Sequence, residues 1–154
     1  MEIVDLLTSS RVVCIDGAAN KARLLQLLGG LLAIGQPAVT AQEIAKSLSE
    51  REHKISTGLG HGIALPHGRL GQGTQIVGAF IRLKRGVDFN ALDKQPVDLV
   101  FGLLVPEQLI NEHLVILAYL AEMFSDQAFC QQLRQADTDQ ALFERLTQWR
   151  PVPT

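Results

Sequence analysis

Arg51-Glu52-His53-Lys54-Ile55-Ser56-Thr57-Gly58-Leu59-Gly60-His61-Gly62-Ile63-Ala64-Leu65-Pro66-His67-Gly68-Arg69 is the stretch on which the reading of this chain turns. It holds three of the four histidines and four glycines, Gly58, Gly60, Gly62 and Gly68. Arg51 and Arg69 bracket it with positive charge. The apolar run 62–65 ends in Pro66-His67-Gly68. That run predicts a buried strand delivering one imidazole, His67, to a surface lined by loop backbone.

Upstream, residues 11–15 (R-V-V-C-I) are β-branched and bounded by Asp16-Gly17, which predicts a strand. Residues 1–10 read as a short helical or irregular lead. Asn20 is placed to cap a helix over about 21–34, with an apolar stripe at Leu24, Leu27, Leu28, Leu31 and Leu32. Gly29-Gly30 weakens that helix by roughly 1 kcal/mol per glycine relative to alanine. The glycines also let another backbone approach closely. Gly35 and Pro37 stop the helix. Thr40-Ala41-Gln42-Glu43 has capping-box spacing. The helix it opens runs to about Glu52, with Ile44, Ala45 and Leu48 inward. Arg51 falls in its last turn, where the helix dipole favours a cation and a purely structural role exists for it.

Downstream, Gly71-Gln72-Gly73 is a polar turn. Residues 75–83 and 97–105 read as strands, and the second is apolar enough for a central strand covered on both faces. Residues 88–95 form the loop between them. Three helices finish the chain. The first spans about 111–124, capped by Asn111, with Leu114, Leu117, Ala118, Ala121 and Phe124 inward. Ser125 caps the second, which carries Phe129, Cys130 and Leu133. Asp137-Thr138-Asp139-Gln140 resembles a capping box for the third, which carries Leu142, Phe143, Leu146 and Trp149. Residues 151–154 read as a frayed tail. Interleaved strands and helices give an α/β class: a single three-layer domain over 1–154, core about 2–149, with helices on both faces of a mixed sheet.

Composition narrows the function. A chain of 154 residues, 47% hydrophobic and 19% charged, buries a full core without disulfide staples. A net charge of −2 with no basic block argues against nucleic acid as a partner. No apolar run is long enough to span a bilayer and the N-terminus carries no signal peptide, so a soluble cytoplasmic location without membrane insertion is expected. Cys14 and Cys130 sit in unlike surroundings and read as free thiols.

A histidine acts as base, metal ligand or nucleophile, and each use needs different company. A nucleophile needs one bare ring nitrogen, with the other holding its proton, most simply by donating to a carbonyl. Gly68 beside His67 leaves backbone approachable for this. Phosphoryl transfer to such a nitrogen is mostly positioning and charge stabilisation. The three equatorial oxygens need donors. Gly58, Gly60, Gly62 and the His61 backbone offer amides, Ser56 and Thr57 offer hydroxyls, and Arg51 or Arg69 offers a guanidinium. His61-x5-His67 is not a zinc spacing, and no Cys or carboxylate completes a site, so no metal or other cofactor is expected. G-L-G-H-G lacks the Gly-Lys-Ser/Thr of a phosphate-binding loop. On the residues alone, satisfied loop histidines remain a second reading.

Glu52-x6-Leu59-Gly60-x2-Ile63-Ala64-Leu65-Pro66-His67-Gly68 resembles the type-2 enzyme IIA signature of the bacterial phosphoenolpyruvate-dependent phosphotransferase system. The Arg51-Glu52 start, the Ser56-Thr57-Gly58 turn and the 62–69 run are most similar to the nitrogen-type enzyme IIA. So is the block 96–106, and the resemblance covers about residues 2–149. It implies the mannitol/fructose-type fold. It implies that His67 takes a phosphoryl group on Nε2, that Arg51 stands beside it, and that His113 is a second, unphosphorylated histidine that bonds the phosphoryl group. His113 in a first helical turn is disfavoured as imidazolium. A neutral ring there still donates one N–H. His61 departs from the family, standing where nitrogen-type proteins carry asparagine. His53 reads as exposed surface.

The resemblance implies a phosphohistidine phosphocarrier charged by an HPr-type protein, NPr in the nitrogen branch. Its phosphorylation state would regulate partner proteins such as potassium transport or sensor-kinase components. Two alternatives stand beside it. One is a sugar-branch component passing the group to a fructose- or mannitol-type enzyme IIB. The other is a binding module in which His67 is never modified.

Overall fold

Two single-turn 3-10 helices, Ile3–Asp5 and Ser9–Arg11, lead into strand β1 (Val12–Ile15). The computed structural model describes residues 2–72, 75–109 and 111–151. Helices α1 (Lys21–Leu32) and α2 (Ala41–Glu52) follow. Next come the short strands β2 (Gly58–Gly60), β3 (Ile63–Ala64) and β4 (His67–Arg69). Strands β5 (Val77–Val87) and β6 (Val97–Val105) complete the sheet. Helices α3 (Glu112–Ser125), α4 (Gln127–Arg134) and α5 (Asp139–Gln148) close the fold. Gly73 and most of the 151–154 tail lie outside the described residues.

The sheet is mixed. Its order is β1-β5-β6-β3-β2, with β4 also on β6. β5 lies antiparallel to β6, and β3 and β4 lie parallel to it. β6 is therefore paired on both sides. It is also covered on both faces: Leu99, Phe101, Leu103 and Val105 pack with α3, α4 and α5, while Val100 and Leu104 pack with α1 and α2. This is the expected α/β class, with helices on both faces of a mixed sheet. β5 runs to Val87, past the expected end at Leu83, because the Arg85 N–H donates to Asp16 O at 2.9 Å beyond the end of β1.

Local signals place the helices. Asn20 Oδ1 accepts from Arg23 N at 2.8 Å and starts α1. Thr40 and Glu43 make both reciprocal bonds of a capping box at α2, at 3.1 and 3.0 Å. Each such cap is worth about 1 kcal/mol. A Cβ on Gly29 would lie 2.8 Å from Ala41 O, so this glycine sets how closely α1 and α2 pack. Gly30 has open space around it.

Four expectations fail at the C-terminal helices and one at α1. Asn111 has helical dihedrals and makes no side-chain cap for α3. Ser125 ends α3; the cap of α4 is Asp126, whose Oδ1 accepts from Phe129 N at 3.0 Å. Thr138 caps α5 from one side only, because Ala141 stands where a capping box needs a reciprocating side chain. The buried face of α3 is Ile116, Leu120, Met123 and Phe124, while Leu114, Ala118 and Ala121 are exposed. α3 is apolar almost all round, so periodicity alone does not choose its inner face. In α1, Leu25 is buried and Leu27 and Leu31 only partly so.

Candidate functional site

The 62–69 run is one strand line with a break in it. Ile63 and Ala64 pair with Leu99 and Val100; His67, Gly68 and Arg69 pair with Leu103, Leu104 and Val105, in the same register. The break falls at Leu65-Pro66. Proline has no N–H to give the ladder. The Leu65 N–H turns to the other side and donates to Thr57 O at 3.1 Å, while Pro66 O accepts from Leu103 N at 3.0 Å. His67 thus opens β4 rather than ending the preceding strand.

His67 Nδ1 lies 2.9 Å from Leu65 O. A carbonyl can only accept, so Nδ1 carries the proton and the neutral ring keeps Nε2 bare. The half-buried ring is also held neutral. Burial is the main cause that lowers its pKa; the bond to Leu65 opposes this, and the charges of Arg51 and His113 lower it further. Gly68 does not serve the imidazole. A Cβ there would lie 2.5 Å from Ser47 Oγ and 3.2 Å from Leu48 N, so the glycine admits α2, and the carbonyl that takes the Nδ1 proton is that of Leu65.

Arg51 lies in the last turn of α2, and its Nη1 donates to Ile55 O at 2.8 Å. Arg69 is spent elsewhere: its Nη2 donates to Glu107 O and Leu109 O. Of the two candidate guanidinium groups, Arg51 is the one that His67 feels. His113 lies in the first turn of α3, and its Nδ1 is buried without a hydrogen-bond partner among the described residues.

The 56–58 donors are not available to an anion. Ser56 Oγ donates to Phe89 O at 3.0 Å and accepts from Gly58 N at 3.1 Å. Thr57 is buried, with its N–H and hydroxyl both on the Glu52 carboxylate. These groups build the loop. The hydroxyls of Ser56 and Thr57 and the Gly58 amide are therefore already bonded within the protein, contrary to their expected place as phosphate donors.

Gly60, His61 and Gly62 all have positive φ, at 90°, 56° and 84°. Histidine is among the side chains that visit this region more readily, as asparagine is, which is how an imidazole fits here. The turn is clamped from three sides. Asp93 Oδ2 accepts from His61 N at 2.9 Å, Arg134 Nη2 donates to His61 O at 2.9 Å, and Asp98 N donates to Gly62 O at 2.9 Å. Arg134 and Asp98 make a two-point ion pair, at 2.8 and 2.9 Å. The bonds from His61 N and Gln95 N hold the Asp93 carboxyl below its usual range. The His61 amide is thus committed to Asp93, and its imidazole is exposed. Exposed Leu59 lies on β2 and exposed Ile55 in the loop before it, and exposed Leu114 and Val115 follow His113.

Asp93, Asp98 and Arg134 escape a reading of the sequence alone. Asp98 carries a signal, a lone carboxylate inside an apolar strand, but its partner lies far along the chain. No group of three or more metal-ligating side chains occurs among the described residues. No helix among them is long and apolar enough to cross a membrane. Cys14 and Cys130 are free thiols.

The sequence matches, over residues 5–149, the family described as phosphoenolpyruvate-dependent sugar phosphotransferase system, EIIA 2. It is 38% identical over 147 residues to the nitrogen regulatory protein of Escherichia coli (strain K12), covering 95% of this chain and 87% of that one. The structure is similar to nitrogen regulatory protein IIA-Ntr from Neisseria meningitidis, with a TM-score of 0.86 at 37% identity over 94% of this chain and 99% of that one. It shares its fold with IIA mannitol from Escherichia coli, with a TM-score of 0.74 at 23% identity over 91% and 98% of the two chains. By sequence and by fold, the chain belongs to the type-2 EIIA family of the phosphotransferase system, on its nitrogen-related side.

Proposed function

We propose that this chain is a phosphohistidine carrier that takes a phosphoryl group on His67 Nε2 from an HPr- or NPr-type protein. The observation that carries the reading is the Nδ1 bond to Leu65 O at 2.9 Å, in a ring held neutral by burial. As the new Nε2–P bond forms, the P–N bond to the donor histidine breaks. His67 keeps its Nδ1 proton and takes up positive charge, which the Leu65 carbonyl dipole receives. Arg51 meets the charge on the equatorial oxygens, and His113 donates one N–H. Bonds of one kind are exchanged, so the step is near thermoneutral and reversible.

In this reading the phosphorylation state sets binding to other proteins, such as potassium transport or sensor-kinase components. Added charge at an interface changes affinity by repulsion and desolvation. The relatives named for nitrogen regulation favour this output over sugar uptake. The exposed apolar side chains Ile55, Leu59, Leu114 and Val115 supply a rim for docking. The site's residues need no cofactor for the step.

The test is reconstitution. The protein is mixed with phosphoenolpyruvate, enzyme I and an HPr-type carrier, and its intact mass is measured. One acid-labile phosphoryl adduct is expected, absent in His67→Ala. No adduct with any carrier overturns the proposal. Transfer onward to sugar when an enzyme IIB membrane fraction is added would assign the chain to uptake instead.

A further inference from the structure

Lys21 occupies the first position of α1, where the helix dipole disfavours a cation. Its side chain is nevertheless only 20% exposed. Nζ lies 2.8 Å from Glu52 Oε2 and 3.1 Å from Phe89 O, and it sits over the Phe89 ring, 4.3 Å from the centroid. All of these contacts face inward. A residue that breaks a local rule in this way marks a requirement outside its own helix.

The requirement can be followed bond by bond. The Glu52 side chain is 4% exposed, and both its oxygens lie 3.2 Å from Thr57 N. Its Oε1 also accepts from Thr57 Oγ1. Thr57 O then accepts from Leu65 N at 3.1 Å. Leu65 O, at the other end of that residue, accepts from His67 Nδ1 at 2.9 Å. Leu65 lies at the break in the strand line, where the β6 ladder does not bond its N–H. Its N–H is held by Thr57, Thr57 is held by Glu52, and Glu52 is paired with Lys21.

We propose that Lys21 and Glu52 are positioning residues for His67: the buried pair holds Thr57, Thr57 holds Leu65, and the Leu65 carbonyl decides which ring nitrogen is bare. The consequence for transfer rests on His67 being the phosphoryl acceptor; the effect on the ring does not. A buried ion pair is often replaceable by apolar groups of similar volume at little cost in stability. Removing both partners therefore separates positioning from folding.

The experiment records nitrogen-15 spectra of the His67 ring above the ordinary histidine pKa of 6.5, in wild type and in Lys21→Met/Glu52→Leu, which leaves no acceptor for the Thr57 N–H and hydroxyl. Rates of phosphoryl acceptance and melting curves accompany them. Wild type is expected to show Nδ1 protonated alone. The double variant is expected to melt as a folded protein, to populate the second tautomer and to accept phosphate roughly ten- to a hundredfold more slowly. An unchanged ring spectrum in a folded double variant overturns the proposal, whatever the rate. If the double variant does not fold, Thr57→Val, which removes only the hydroxyl bond to Glu52, takes its place. A smaller share of the second tautomer is expected in that variant, because the Thr57 N–H keeps its bonds to Glu52, and an unchanged ring spectrum there overturns the proposal. Wild type that accepts no phosphate would overturn the carrier function, while the ring spectra still decide the relay.

Discussion

His67 Nδ1 and Leu65 O lie 2.9 Å apart across a single intervening proline, and this contact assigns the ring's proton. Burial, the largest cause, then pulls the His67 pKa below the ordinary value of 6.5. In the proposed carrier the neutral ring is the nucleophile, so phosphoryl acceptance should be level above pH 6.5 and fall on an acid limb whose midpoint lies below 6.5. Stability follows the same sign. The folded state binds fewer protons at His67 than the unfolded state does. The contribution is therefore full above the unfolded pKa and lost as pH falls through the folded one. Urea midpoints of wild type and His67→Gln, compared from neutral to acid pH, should converge as pH drops. Divergence in favour of wild type at acid pH would refute the sign.

Arg51 is the guanidinium that His67 feels, whereas Arg69 is tied to the 107–109 loop. Arg51→Met should slow phosphoryl acceptance by roughly a hundred- to a thousandfold, the size of losing one preorganised charge donor. Arg69→Met should leave the rate within a fewfold of wild type. Rapid-quench kinetics on both variants would decide it. Equal losses would mean that Arg51 has no role at His67 that Arg69 lacks.

Arg134 reaches the His61 turn from the end of α4, bonding His61 O while paired with Asp98. Its pKa is raised, chiefly by the Asp98 bond. Arg134→Met leaves Asp98 without its partner and should cost about 1.5–3 kcal/mol by denaturant unfolding, the range for a hydrogen bond to a charged group. A loss below a few tenths of that unit would mean that Asp93 and the Gly62 carbonyl bond suffice to hold the turn.

The neighbours Gly29 and Gly30 should respond in opposite directions. A Cβ at Gly29 meets Ala41 O at 2.8 Å and Ala45 N at 3.0 Å, so Gly29→Ala forces α1 from α2 and should destabilise by about 1–3 kcal/mol. Gly30 has open space, and Gly30→Ala should stabilise by roughly 0.5–1 kcal/mol through helix propensity. Thermal melts of the two variants give the comparison. A stabilised Gly29→Ala would show that the two helices can slide apart freely.

Where local chemistry decides structure, the sequence is readable. Asn20 and the Thr40–Glu43 pair start helices as their spacing implies, and the apolar run of β6, with Asp98 its one charged residue, marks the doubly covered strand. α3 resists such a reading because almost every face of it is apolar, and only the sheet beneath decides that Ile116 and Leu120 turn inward. At the site, His67 and Arg51 can be picked out as candidates because they lie within one stretch. What stays hidden is how the stretch is wired. Ser56 and Thr57 look like free hydroxyls because Phe89 and the folded-back Glu52 carboxylate are invisible in a linear chain. Arg134 and Lys21 lie outside the stretch, and only the fold brings them to it.

The most direct measurement of the whole scheme is the nitrogen-15 and phosphorus-31 spectrum of the phosphorylated protein. Phosphorus bonded to His67 Nε2, with the Nδ1 proton still present on the same ring, is the expected result. Phosphorus on His67 Nδ1, or on His61 or His113, would contradict it.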